Sequence, residues 1–131
     1  MIAVDTSALV AVLLGEVERD DYLTVLDTAD GISISAGTMI EARMVVYGRG
    51  GPTLRHKLNS LCDDYRMNIV SPGDDEIGYA DHGFASHGKG SGHPAQLNFG
   101  DLFAYALAKL RDIPLLFKGN DFAQTDVKSA M

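Results

Sequence analysis

Asp5, Glu41, Asp101 and Asp121 stand far apart along the chain, each beside an apolar segment. Asp5 closes the run Met1-Ile-Ala-Val4, and Glu41 sits inside Ala36-Gly-Thr-Met-Ile-Glu-Ala-Arg-Met-Val-Val46. Asp101 ends Asn98-Phe-Gly-Asp101, and Asp121 follows Pro114-Leu-Leu-Phe117 within Lys118-Gly-Asn-Asp-Phe122. Carboxylates from four separate segments supply hard oxygen donors, the ligands that divalent cations of the magnesium type prefer. Each acid also has a local reading: Asp5 and Asp101 as helix caps, Glu41 paired with Arg43 or another base, Asp121 as a turn former. The local reading is weakest for Glu41, because a carboxylate among Met39, Ile40, Met44, Val45 and Val46 needs a partner or a cation.

The elements that must position these acids can be traced from pattern. Met1–Val4 reads as a short buried strand, with Thr6 or Ser7 capping a helix that carries Leu9, Val10, Leu13 and Leu14. A second helix is expected over 16–29, and Gly31-Ile-Ser-Ile-Ser35 alternates like a strand. A helix then runs through Val46 and is broken by Gly48, Gly50, Gly51 and Pro52; another covers roughly 53–65. Met67–Val70 is the next strand, and 74–87 is helical with Asp74 as cap and Glu76 near its positive end. Phe99, Leu102, Phe103, Ala106, Leu107 and Leu110 repeat at helical spacing, Leu115–Phe117 forms a short strand, and Val127 is a candidate edge. Strands alternating with helices imply a parallel sheet covered on both faces, which binds ligands beyond the carboxyl ends of its strands. Asp5 and Asp121 both fall there.

The length of 131 residues suits one domain with a real core, and 46% hydrophobic with 22% charged residues is ordinary globular composition. No apolar run approaches a membrane span, and the first residues lack the charged segment of an export signal. The single Cys62 cannot form an intramolecular disulfide, which fits a reducing cytoplasm. The net charge of −7 argues against broad nonspecific binding of nucleic acid, but the four acids contribute four of those charges and two divalent ions would cancel them.

Val4-Asp-Thr-Ser-Ala8, the embedded Glu41, Asn98-Phe-Gly-Asp101 with Phe103-Ala-Tyr-Ala106 after it, and Gly119-Asn-Asp-Phe122 together resemble the PIN domain. More narrowly they resemble the VapC toxins of bacterial toxin–antitoxin pairs, over nearly the whole chain. The resemblance implies a single three-layer α/β/α PIN-like domain spanning 1–131, with a central, mainly parallel sheet of 4–5 strands. It implies a Mg²⁺- or Mn²⁺-dependent endoribonuclease with Asp5, Glu41, Asp101 and Asp121 as catalytic, metal-holding acids. Asp121 would be the most distant; Asp126 is close enough in sequence to stand in for it, but reads instead as a cap or a solvated charge. Thr6, Ser7, Asn98, Arg43 and Lys118 would support those acids or touch substrate. Products would carry 5′-phosphate and 3′-hydroxyl ends, the protein would dimerise, and a VapB-type antitoxin would hold it inactive.

Two other functions compete. A Mg-binding phosphate-receiver domain also collects acids, but needs an aspartate after its middle strand, where this chain has Ile69-Val-Ser-Pro72. A catalytically silent PIN module would keep the fold and the partner surface only. Gly83-Phe-Ala-Ser-His-Gly-Lys-Gly90 nearly matches a phosphate-binding loop but lacks its final Ser or Thr and its preceding strand. A substrate-side loop carrying Lys89 and His93 is the better reading of that segment. His82, His87 and His93 lack Cys partners and zinc-type spacing.

Overall fold

The computed structural model describes residues 1–131. Its order is β1 (Ile2–Val4), α1 (Thr6–Leu13), α2 (Arg19–Thr28), β2 (Ile32–Ser35), α3 (Ala36–Asp64), β3 (Asn68–Val70), α4 (Asp74–His87), α5 (Phe99–Arg111) and β4 (Leu115–Leu116), followed by a 3-10 turn at Phe122–Gln124. The four strands form one sheet in the order β3-β2-β1-β4, and every pairing is parallel. The register sets Ile2 against Ile32, Ala3 against Leu115 and Ile34 against Ile69. The α/β architecture implied by the resemblance is therefore present.

Why the strands are short and apolar follows from their place. β1 is central, so both of its faces are buried and Ala3 and Val4 are fully enclosed. One core packs β1 and β2 against α1, α2 and α3, through Leu9, Val12, Leu26, Met39, Val46 and Leu58. The other packs Ala3 and Leu115 against α5 and the segment before it, through Leu97, Ala104, Tyr105, Leu107 and Phe122. No helix is long and apolar enough to cross a membrane.

Parallel strands direct their carboxyl ends to one edge of the sheet. β1 delivers Asp5 there, β2 delivers Ser35 and the start of α3, and β4 delivers the loop that ends in Asp121. Since α5 leads into β4, it runs back along the sheet and starts at this same edge, with Asn98 and Asp101 in its first turn. Chain topology alone thus brings the starts of α1, α3 and α5 together.

Several boundaries differ from the sequence pattern. α2 begins at Arg19 rather than near Glu16. α3 continues through Gly48 and Gly50 and breaks only at Gly51, whose φ of 65° is favourable for glycine; Pro52 then starts the second half. α5 is enclosed on more than its apolar stripe, because the sheet covers one side and α4 the other; Ala104 to Ala108 are all buried while Phe99 is 78% exposed. The edge expected at Val127 lies slightly later. Leu115 donates to the Lys128 carbonyl at 2.8 Å and accepts from the Ala130 amide at 3.0 Å.

Candidate active site

Asp5 is built into the joint between β1 and α1. It is the N-cap of α1: its Oδ2 accepts from the Ser7 amide at 3.0 Å and from the Ser7 hydroxyl at 2.7 Å. Only 3% of Asp5 is exposed, and its other oxygen, Oδ1, is buried with no hydrogen-bond partner. Burial pushes its pKa up from 3.8 to about 6; the Ser7 hydrogen bonds oppose this, and the Asp101 and Glu41 charges add to it. A cap alone uses one carboxylate oxygen. The second is oriented into the protein toward negative neighbours, which capping does not explain.

The neighbouring hydroxyls hold the framework. Ser7 Oγ also accepts from the Lys118 amide at 2.9 Å, tying α1 to the exit of β4. Thr6 Oγ1 donates to Glu41 Oε1 at 2.6 Å and so links the first turn of α1 to α3. Glu41 lies against α5 as well: a Cβ at Gly100 would overlap its carboxylate. Gly100 is therefore a site residue that the pattern did not single out, and the only sequence signal was a glycine in a helix's first turn.

Asp101 and Asn98 form a reciprocal capping box. Asn98 Oδ1 accepts from the Asp101 amide at 2.9 Å, and Asp101 Oδ2 accepts from the Asn98 amide at 3.0 Å. The local reading of Asp101 as a cap is correct as far as it goes, with Asn98 as the N-cap itself, but one oxygen of Asp101 remains outside the box. Burial raises the Asp101 pKa, the Asn98 amide opposes it, and the charges of Asp121 and Glu41 raise it further. Asp121 is exposed and makes no side-chain hydrogen bond; Phe122 beside it is buried and anchors the turn.

Electrostatics thus connects all four acids: Asp5 responds to Glu41 and Asp101, and Asp101 to Glu41 and Asp121. No three Asp, Glu, His or Cys side chains meet in a ready coordination shell. The two observations differ in range, because charge repulsion acts across several ångströms whereas coordination requires about 2 Å. The donor set nevertheless fits a hard divalent cation: every group is a carboxylate oxygen, and the unpartnered Asp5 Oδ1 is a buried anion with nothing to offset it.

Two residues expected beside the acids have other surroundings. Lys118 sits close in sequence to Asp121, but its ammonium pairs with Glu16 at 2.8 Å and Glu18 at 3.1 Å, which raises its pKa; the backbone amide is the part that serves Ser7. Arg43 lines a different hollow, with Tyr47, Arg55 and His56. Two residues along a helix is a turn of about 200°, so Arg43 cannot share the face of Glu41. Asp126 does not substitute for Asp121 either: it accepts from Tyr105 at 2.9 Å and pairs with Lys109 at 3.1 Å. Gly83 to His87 form the last turn of α4, so the near phosphate loop is helix there, and Lys89 donates its amide to Leu97 at 2.8 Å in a short bridge.

The chain is similar to known proteins in sequence and in fold. A family model described as the PIN domain matches residues 2–128. Ribonuclease VapC42 of Mycobacterium tuberculosis is 36% identical over 127 residues, covering 97% of both chains. In structure the chain resembles the sarcin-ricin-loop-cleaving toxin VapC20 of Mycobacterium tuberculosis, with a TM-score of 0.78 at 15% identity over 97% of this chain and 96% of that one. It also resembles VapBC2 of Rickettsia felis bound to a promoter DNA fragment, with a TM-score of 0.76 at 17% identity over 98% and 96% of the two chains.

Proposed function

The chain belongs to the PIN domain family, and from that premise we propose that it is a VapC-type endoribonuclease, the toxin of a toxin–antitoxin pair. It acts as one domain over 1–131 and as a homodimer in the cytoplasm, and a VapB-type antitoxin neutralises it. Cleavage depends on Mg²⁺ or Mn²⁺ held by Asp5, Glu41, Asp101 and, at greater distance, Asp121. The single observation that carries this reading is the buried, unpartnered Asp5 Oδ1, surrounded by the charges of Glu41 and Asp101. A receiver domain has no support from these relatives, and a silent module has no use for a buried, unpartnered carboxylate oxygen at Asp5.

A bound divalent cation supplies charge stabilisation at the scissile phosphate and a lowered pKa for the attacking water. The protein's own residues do the rest. Ser7 fixes one oxygen of Asp5, leaving Oδ1 for the cation, and Thr6 orients Glu41. Asn98 fixes Asp101 through the capping box. A carboxylate accepts the proton of the water, the water oxygen bonds to phosphorus and the P–O3′ bond breaks; the departing 3′ oxygen takes up a proton, which leaves 5′-phosphate and 3′-hydroxyl ends.

The test is RNA cleavage by Asp5→Asn and Asp101→Asn, each of which keeps a capping side chain of the same shape. Both are expected to lose at least a hundredfold in rate and to abolish growth arrest on induction. Unchanged cleavage in both would reject the nuclease assignment.

A further inference from the structure

The chain is acidic overall, yet from Ala42 to Cys62 it has no acid at all, while Arg43, Arg49, Arg55 and Lys57 fall within that stretch along with His56. All 18 acids of the chain and its other seven bases lie outside it. None of these four cations forms a salt bridge; of the seven bases elsewhere Lys109, Lys118 and Lys128 are paired, and the unpaired Arg19, Arg66, Lys89 and Arg111 are scattered along the chain. The break at Gly51 turns the second half of α3 back beside the first, so that Arg43 and Arg55, from opposite sides of the break, line one hollow of about 650 Å³ with His56. The Arg55 guanidinium lies over the half-exposed Tyr47 ring at 5.5 Å from its centre, and the buried Asn59 Oδ1 beside them has no hydrogen-bond partner.

We propose that this cationic hollow at the bend of α3 is a second RNA contact, which grips the phosphate backbone of the substrate outside the acid cluster. The inference rests on the ribonuclease reading. Unpaired guanidiniums suit phosphate oxygens, and an exposed tyrosine with a stacked arginine gives a base a flat face. The hollow adjoins the acids, since Met44 lines both it and the cleft that Glu41 lines. Along α3, Glu41 and the hollow's Tyr47 are about 9 Å apart at 1.5 Å per residue, and Arg49 follows about 3 Å further on, outside the hollow's lining, a span of a few nucleotides in all. The arrangement explains how a chain of net charge −7 holds a polyanion: the acid cluster performs the chemistry, and a separate concentrated positive surface does the holding.

The test is salt-dependent binding of a structured RNA to the Asp5→Asn protein, alone and with Arg43→Gln, Arg49→Gln and Arg55→Gln together. The triple change is expected to weaken binding at least tenfold. It should also flatten the slope of log affinity against log salt by about 2, at roughly 0.7 per lost phosphate contact on a single strand. A matched set, Arg66→Gln, Lys109→Gln and Lys128→Gln, removes as much charge elsewhere and is expected to leave the slope unchanged. In the otherwise native protein, the patch variant should raise KM for long RNA about tenfold with kcat within twofold. An unchanged slope in the patch variant, or an equal loss in the matched set, overturns the proposal. If the native chain cleaves nothing while the slope still depends on the patch, the nuclease reading falls and the RNA contact stands.

Discussion

At Asp5, folding and chemistry make opposite demands. The carboxyl must ionise to hold a cation, but burial lifts its pKa to about 6 from the ordinary 3.8. The folded state therefore binds this proton more tightly than the unfolded chain does. Stability is expected to fall as pH rises between those two values and to stay reduced above them. Asp5→Asn keeps the cap and removes the charge, so without added metal it should stabilise the protein at pH 7.5 by on the order of 2 kcal/mol. The gain should shrink toward pH 4, as read by denaturant unfolding at both pH values. A variant less stable than the native chain at pH 7.5 would mean that the carboxylate is satisfied within the fold. Gly100 gives a second residue-scale prediction. Gly100→Ala would press a methyl group against the flexible end of Glu41 rather than against backbone. RNA cleavage is expected to drop tenfold or more while the melting temperature moves by only a few degrees, and equal losses of both would assign Gly100 to packing alone.

Among the elements, helix starts are the positioning devices. α1, α3 and α5 begin at the carboxyl edge of the sheet with Asp5, Ser35 and Asn98 as caps; the caps of α1 and α5 hold Asp5 and Asp101, while Glu41 lies in the second turn of α3 and is held by Thr6. The acids stand out in the sequence because Asp5 follows a strand, Asp101 opens a helix and Glu41 interrupts an apolar stretch, and the parallel topology brings their segments to one edge. The surroundings of Lys118 and Arg43 were not legible. Closeness in sequence to an acid says nothing about which way a side chain leaves a helix or loop: the Lys118 ammonium pairs with Glu16 and Glu18, and Arg43 lines the hollow at the bend of α3. Gly100 escaped for the same reason, since its value lies in what approaches it. The glycine-rich run at Gly83 has a packing cause: a Cβ there would strike the Tyr105 ring where α4 crosses α5. Gly83→Ala is therefore expected to cost roughly 1–3 kcal/mol by overpacking, measured by urea unfolding, with Mn²⁺ affinity unchanged. A neutral substitution would mean that α4 and α5 can separate slightly without loss.

For the molecule as a whole, charge is divided between two places. Asp5, Glu41 and Asp101 stand near the carboxyl edge of the sheet, and the stretch around the bend in α3 carries four bases and no acid. The net value of −7 conceals this division, which composition alone could not reveal. The central claim concerns the acid edge, and titration calorimetry with Mn²⁺ tests it most directly. The native protein is expected to bind Mn²⁺ at millimolar concentration or below at pH 7.5. At pH 5.5 it should bind more weakly and release protons on binding, because Asp5 must be ionised. Asp5→Asn combined with Asp101→Asn should bind no Mn²⁺. Absence of binding to the native chain at millimolar Mn²⁺, or equal binding by the double variant, would contradict the claim that these acids hold the metal.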